Sequence, residues 1–264
     1  MIRLVATDLD GTLLRPDGTV SPRTLEVIQA VDDLGVQVVF VTGRPIRWMD
    51  SLWEHVGDHG LAICSNGGIL YDVGSHSVLR SRTIPRDVGL SVVERIRAAV
   101  PGSFFALEKA DGFGHEESYP VARAASERDR PHVGPLEEIF DDGVVKLLAL
   151  HQQHEPMDYW QRVEEAAGTE VTTTFSSTDA LVEMSGAGVS KASTLGEVCA
   201  ELGVEAAEVL AFGDMPNDVA MLRWAGTSYA MANAHPRARE AAQHRAPRND
   251  EDGVAQVLTD LLLS

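Results

Sequence analysis

The chain has 264 residues, 44% hydrophobic and 23% charged, the balance of a globular protein rather than a disordered or coiled-coil one. Its 40 acidic residues outnumber 22 basic ones, and a formal charge of −18 argues against a nucleic-acid partner, whose phosphates need basic neutralisation. Cys64 and Cys199 stand far apart in apolar runs, which predicts buried thiols in a reduced, cytoplasmic protein and no disulfide framework.

Residues 1–6 enter an apolar strand at once and carry no signal-peptide pattern. No apolar run reaches the roughly 18 residues that a membrane helix needs. The first strand is read over Leu4–Thr7. Ser21 and Pro22 then open a helix as N-cap and first-turn proline, with Leu25, Ile28, Val31 and Leu34 at helical spacing and a stop at Gly35. Residues 36–41 form a second, almost wholly apolar strand, as expected where both faces are covered. Pro45 starts a further helix through Trp48, Leu52 and Val56, and Leu61–Cys64 makes a third strand. Repeated strand–helix–strand units with short connections predict an α/β fold with a parallel sheet.

The pattern then changes. Residues 69–84 read as a hairpin turning at Gly74 and Ser75, followed by a helix over 86–99, strands over 103–107 and 144–150, a helix over 156–167, and strands over 170–175 and 181–184. Gly112, Gly114, Pro120, Pro131, Gly134 and Pro135 mark loops between them. This α+β stretch predicts an inserted domain over 83–184, with the first domain formed by 1–82 and 185–264. The first pattern resumes with a helix over 190–202, a strand over 209–212, a helix from Pro216, a strand over 227–231 and a C-terminal helix.

Each chemically informative motif falls where a predicted strand ends, the edge at which open parallel sheets bind ligands. Asp8 and Asp10 follow the first strand, Thr42, Gly43 and Arg44 the second, and Asp214, Asn217 and Asp218 a late one. Two carboxylates about 4 Å apart repel by about 4 kcal/mol at an effective dielectric near 20, so such a cluster requires a cation or shifted proton affinities. Hard oxygen ligands without nearby His or Cys favour Mg²⁺. A calcium loop starting at Asp8 fails, because Leu13 and Thr19 stand where Gly and Glu are needed. Residues 186–191 lack the glycines of either nucleotide-binding loop, and the nine histidines show no zinc spacing.

Asp8-Leu9-Asp10-Gly11-Thr12, Val41-Thr42-Gly43-Arg44, Ser65-Asn66-Gly67-Gly68, Lys191 and Gly213-Asp214-x-x-Asn217-Asp218 stand in the order of the haloacid dehalogenase (HAD) superfamily. The chain resembles its Cof-type, sugar-phosphatase branch; Ala230-Met231-Ala232-Asn233-Ala234 and Asn249-x-x-Asp252-Gly253-Val254-Ala255 resemble that branch near the C-terminus. The resemblance implies a Rossmann-like parallel-sheet core with an inserted α+β, C2-type cap domain. It implies a Mg²⁺-dependent phosphatase acting on a small phosphorylated metabolite such as a sugar phosphate. The acidic charge and the lack of a long apolar run predict no nucleic-acid or membrane partner, and a monomer or homodimer is expected.

By the same resemblance, Asp8 attacks phosphorus and forms an aspartyl-phosphate, and Asp10 acts as general acid and then general base. Mg²⁺ would be held by Asp8, the backbone carbonyl of Asp10, Asp214 and Asp218, the last through water. Thr42, Gly43, Lys191 and Asn217 would bind phosphate, and Arg44 and Asn66 would support the loops. Lys191 otherwise reads as a solvated helix start, where a cation opposes the helix dipole. Trp48 and Trp53 read as packing, and His115, Arg123 and Lys146 as residues of the cap able to read the substrate. Two alternatives stay open at this point, a phosphomutase of hexose phosphates using the same nucleophile and a non-catalytic phosphate-binding protein.

Overall fold

The computed structural model describes residues 1–49, 60–120, 131–176 and 179–264. They form two compact units, one of Met1–Arg44, Trp48–Leu79 and Ser190–Ser264, the other of Pro45–Arg47 and Arg80–Val189.

The first unit is built on an eight-stranded sheet. Its strands are β1 (Leu4–Thr7), β2 (Gln37–Val41), β3 (Leu61–Cys64), β4 (Ile69–Asp72), β5 (Ser77–Ser81), β12 (Val209–Gly213), β13 (Thr227–Met231) and β14 (His244–Ala246), in the order β14-β13-β12-β1-β2-β3-β4-β5. Pairing is parallel from β14 to β3, and β4 runs antiparallel to β3. From β1 the chain winds to β2 and β3 on one side and returns through β12 and β13 on the other. The β1/β12 boundary is therefore the point where strand order reverses, the place where ligands bind in such sheets. All four residues of β1 are buried, as expected for a central strand covered on both faces.

Helix α1 (Pro22–Asp33) starts where the sequence dictates: Ser21 caps it by accepting the Thr24 N–H at 3.0 Å, and Pro22 follows. It buries Val27, Ile28 and Val31, whereas Leu34 lies past the helix end and is 59% exposed. Cys64 and Cys199 are buried, and burial pushes the Cys199 thiol up to about 11.

The second unit carries a six-stranded sheet, β10-β11-β9-β6-β7-β8 in order, from β6 (Phe104–Lys109), β7 (Phe113–His115), β8 (His132–Val133), β9 (Val144–Leu150), β10 (Val171–Thr174) and β11 (Leu181–Gly186). Its pairings are antiparallel except β7 with β8. Phe105, Leu107, Leu147, Ala149, Val182 and Met184 form one core with Val92, Val93 and Ile96 of α2 (Arg86–Ala99) and Tyr159 and Val163 of α4 (Pro156–Ala167). The alternate residues Ala106 and Leu148 gather with Phe113 and Tyr119 in a smaller cluster, the two-residue period of a strand.

Several expectations need correction. The stretch read as loop between 112 and 135 contains β7, β8 and, after Pro135, the short helix α3 (Leu136–Ile139), because Gly114 sits inside a paired strand rather than between strands. Ile46–Trp48 is a single 3₁₀ turn, and the rest of the helix expected from Pro45 lies outside the described residues, as does Trp53. Trp48, expected to pack, is 42% exposed. The expected helix from Pro216 is a 3₁₀ turn to Asp218 followed by α6 (Val219–Trp224), and α7 (Pro236–Ala241) and β14 precede the C-terminal α8 (Gly253–Leu258). Among the described residues no helix is long and apolar enough to cross a membrane.

Candidate active site

Register decides what meets at the sheet edge. Thr7 lies beside Phe212 on one side and Phe40 on the other, so Asp8 leaves β1 level with Gly213 and Val41, one residue before Asp214 and Thr42. Lys191 arrives from α5 (Lys191–Leu202), whose N-cap Ser190 exchanges hydrogen bonds with Ser193 in a capping box.

Three carboxylates and one ammonium result. Lys191 Nζ lies 2.6 Å from Asp8 Oδ1 and 2.7 Å from Asp218 Oδ1, and Lys191 is buried to 1% exposure. The reading of Lys191 as a solvated helix start is thereby overturned. Asp218 Oδ2 accepts the backbone N–H groups of Asp214 and Met215, each at 3.0 Å, which closes the loop after β12. Thr12 donates its hydroxyl to Asp214 Oδ1 at 3.0 Å. Carboxylate oxygens of Asp8, Asp214 and Asp218 lie within 4.8 Å of one another.

One lysine does not neutralise three buried acids. Burial, and next the charge of Asp218, raise the Asp8 carboxyl well above the usual range, against the pull of Lys191. Asp214 is pushed up to about 7, first by burial and then by Asp218. Burial works against the charge on Lys191, and Asp218 with Asp8 outweighs it and raises its proton affinity. A group of oxygen donors that holds protons for want of positive charge fits a hard divalent cation.

Asp10 stands apart from this group. Its carboxylate is 57% exposed and receives both Arg44 Nε, at 2.7 Å, and Arg44 Nη2, a bidentate pair. Arg44 is thus bound to Asp10, and this pairing raises its own proton affinity against the effect of burial. Thr42 is fully buried; its Oγ accepts the Arg44 N–H at 3.0 Å and its carbonyl the Asn66 N–H at 3.0 Å. Asn66 Oδ1 accepts from Asn217 Nδ2 at 3.0 Å, and Asn66 itself is left-handed at φ 57°. A Cβ on Gly43 would stand 3.0 Å from that same Asn66 oxygen, and one on Gly11 only 2.2 Å from Asp214 Oδ2. Gly11 also has φ 75°, so glycine is required there on both counts.

The sequence reading missed Thr12 as a partner of Asp214. It also gave no task to Asn233 and Asn249, although both were visible in the C-terminal motifs. Asn233 Nδ2 donates to Gly11 O and Asn249 Nδ2 to Leu14 O, each at 2.7 Å. Of the inserted-domain residues named as able to read a substrate, His115 and Lys146 are buried in the second unit, Lys146 donating to Glu183 at 2.9 Å, and Arg123 lies outside the described residues.

Residues 5–258 match the family of haloacid dehalogenase-like hydrolases. The chain belongs to that family. Its Cof-type character agrees with its relatives. It is 30% identical to a phosphoglycolate phosphatase of Natronomonas pharaonis over 98% of this chain and 97% of the other. It is 28% identical to the pyridoxal phosphate phosphatase of Escherichia coli over 99% of each. Among solved structures, a HAD-superfamily phosphatase from Bacteroides thetaiotaomicron superposes with a TM-score of 0.84 at 25% identity, covering 98% of this chain and 95% of that one. This HAD chain is accordingly an enzyme, a phosphoric monoester hydrolase, with an α/β parallel-sheet core and an inserted α+β unit.

Proposed function

We propose that the protein hydrolyses a small phosphorylated metabolite, a sugar phosphate first among them, with Mg²⁺ and through an aspartyl-phosphate on Asp8. The observation that carries this reading is the excess of buried carboxylates over cations where β1 meets β12. The inserted unit, expected over 83–184, is assigned as the cap domain that selects the molecule carrying the phosphate.

Asp8 supplies the attacking oxygen: its Oδ–P bond forms as the P–O bond to the leaving group breaks. Asp10 gives its proton to the departing oxygen, then takes one from the water that attacks phosphorus and frees Asp8. The exposure of Asp10 leaves room for that water. Lys191 has three N–H donors and can hold a phosphoryl oxygen while keeping Asp218. The Thr42 hydroxyl and the second amide proton of Asn217 add neutral donors. Mg²⁺, held by Asp8, the Asp10 carbonyl and Asp214 with Asp218 in support, would offset the repulsion between an anionic nucleophile and an anionic phosphate.

The test is phosphate release from a panel of sugar phosphates, phosphoglycolate, pyridoxal phosphate and related monoesters, with and without Mg²⁺. Turnover that requires Mg²⁺ and disappears in Asp8→Asn is expected. No release from any member with Mg²⁺ present would overturn the reading, and conversion of a hexose 1-phosphate to its 6-phosphate without release would mark a phosphomutase instead.

A further inference from the structure

Asn233, in the turn after β13, and Asn249, in the turn before α8, take no part in the chemistry above. Both belong to motifs near the C-terminus, yet both reach the loop that carries Asp8 and Asp10. That loop folds back on itself, Leu14 N–H donating to Leu9 O at 2.8 Å, with the left-handed Gly11 at its bend.

The asparagines bracket this bend. Asn233 Nδ2 donates to Gly11 O at 2.7 Å, Asn249 Nδ2 donates to Leu14 O at 2.7 Å, and the Asn249 N–H joins the two by donating to Asn233 Oδ1 at 3.1 Å. Arg15, next in the chain, pairs with Asp252 at 2.8 Å. The turn that holds Asn233 also reaches the second acidic loop, through His235 N–H to Asp214 O at 2.8 Å. One bracket therefore touches both loops that bear the carboxylates.

The sheet does not need these bonds. β1 is already paired on both sides, by β2 and by β12. Beyond Asp8 the ladders end: Arg44 grips the Asp10 carboxylate from the neighbouring loop, but the backbone that carries it turns at Gly11, the residue with the widest conformational freedom, directly after Asp10. Asp10 lies between Asp8, which the ladders fix, and the bend at Gly11, so where that bend is held sets how far the Asp10 carbonyl and carboxylate can drift from Asp8. A misplacement of about 1 Å can cost about 10²-fold in rate.

We propose that Asn233 and Asn249 are positioning residues of the phosphoryl transfer: through the carbonyls of Gly11 and Leu14 they hold Asp10 where it can protonate the leaving group. The inference rests on the phosphatase reading given above. It predicts a defect that depends on the leaving group. p-Nitrophenolate departs with little help from an acid, whereas an alkoxide needs the proton of Asp10.

The experiment compares kcat/KM, which reports the first transfer, for p-nitrophenyl phosphate and for the best alkyl phosphate of the panel, with Mg²⁺. Wild type, Asn233→Ala, Asn249→Ala and the double variant are measured, each checked for folding by its melting curve. We expect the alkyl ester to lose roughly 10- to 100-fold in each single variant. p-Nitrophenyl phosphate should lose severalfold less, and the double variant no more than the worse single one, as a shared device requires. Equal losses on both esters, or no loss in a folded Asn233→Ala, would overturn the proposal. Asn249 is 6% exposed, so if its variant does not fold, the half-buried Asn233 decides the matter alone. Wild-type enzyme inert towards both esters would overturn the phosphatase reading and the inference with it, whereas an active wild type with an unaltered ratio in Asn233→Ala overturns the inference only.

Discussion

Each unit of the molecule buries a cluster of charge, and the two clusters differ in one respect. In the first unit Asp8, Asp214 and Asp218 surround a single Lys191. In the second, charge is balanced: Glu108 binds Arg47 in a bidentate pair, and Glu183 accepts from Lys146 at 2.9 Å and from Ser176 at 3.1 Å. Burial raises the Glu108 carboxyl, and Arg47 opposes that rise. A balanced buried cluster can be satisfied by the fold alone, at a desolvation cost that its own pairs offset. An unbalanced one holds protons until a cation arrives. Surplus charge, rather than burial of charge, is what marks the reactive centre.

That contrast can be broken in order of expected effect. The largest is Asp8→Asn, which should lower turnover on the order of 10⁴-fold. It should leave the melting temperature of the metal-free protein equal or higher, because it removes one of three crowded acids. A large loss of stability in that variant would contradict the surplus-charge account.

Lys146→Met should do the reverse in kind, destabilising the fold by about 3 to 5 kcal/mol in urea unfolding by leaving the buried Glu183 charge without its lysine. Adding Glu183→Leu should recover most of that loss. If the double variant is no more stable than the single one, the balance between these charges is not what matters there.

The smallest effect is the most specific to the first cluster. The folded Asp214 holds its proton up to about pH 7, against an ordinary value near 3.8. A raised folded value contributes stability that is complete below the unfolded value and is lost as pH rises through the folded one. The metal-free protein should therefore weaken between about pH 4 and 7 through this group. Mg²⁺ competes with that proton, so its stabilisation should be larger at pH 8 than at pH 5, about 2.7 kcal/mol at a hundredfold excess over Kd. An equal shift in melting temperature at both pH values would place the cation elsewhere.

Much of the fold was legible because its signals are local. Ser21 and Pro22 start α1, Ser190 starts α5, and the unbroken apolar runs of β1 and β3 announce strands covered on both faces. The middle of the second unit was not legible, because Gly114 and Val133 join strands through their neighbours and not through any local preference. The acids were legible as motifs at strand ends. Their inequality was not: Asp10 has the same residue type and nearly the same position as Asp8, yet it meets Arg44 in an exposed setting while Asp8 meets Lys191 in a buried one.

By itself, then, the sequence determined the alternating strands and helices at the start of the chain, the family, and which side chains could take part in phosphoryl chemistry, since these follow from periodicity, caps and motif residues close together in the chain. Only the tertiary structure decided how they share charge and who holds them still. Lys191 is 183 residues from Asp8, and Asn233 is 222 from Gly11. No local rule spans such distances. The register of parallel strands brings the acids to one edge, and hydrogen bonds from the far end of the chain fix the loop on which they sit.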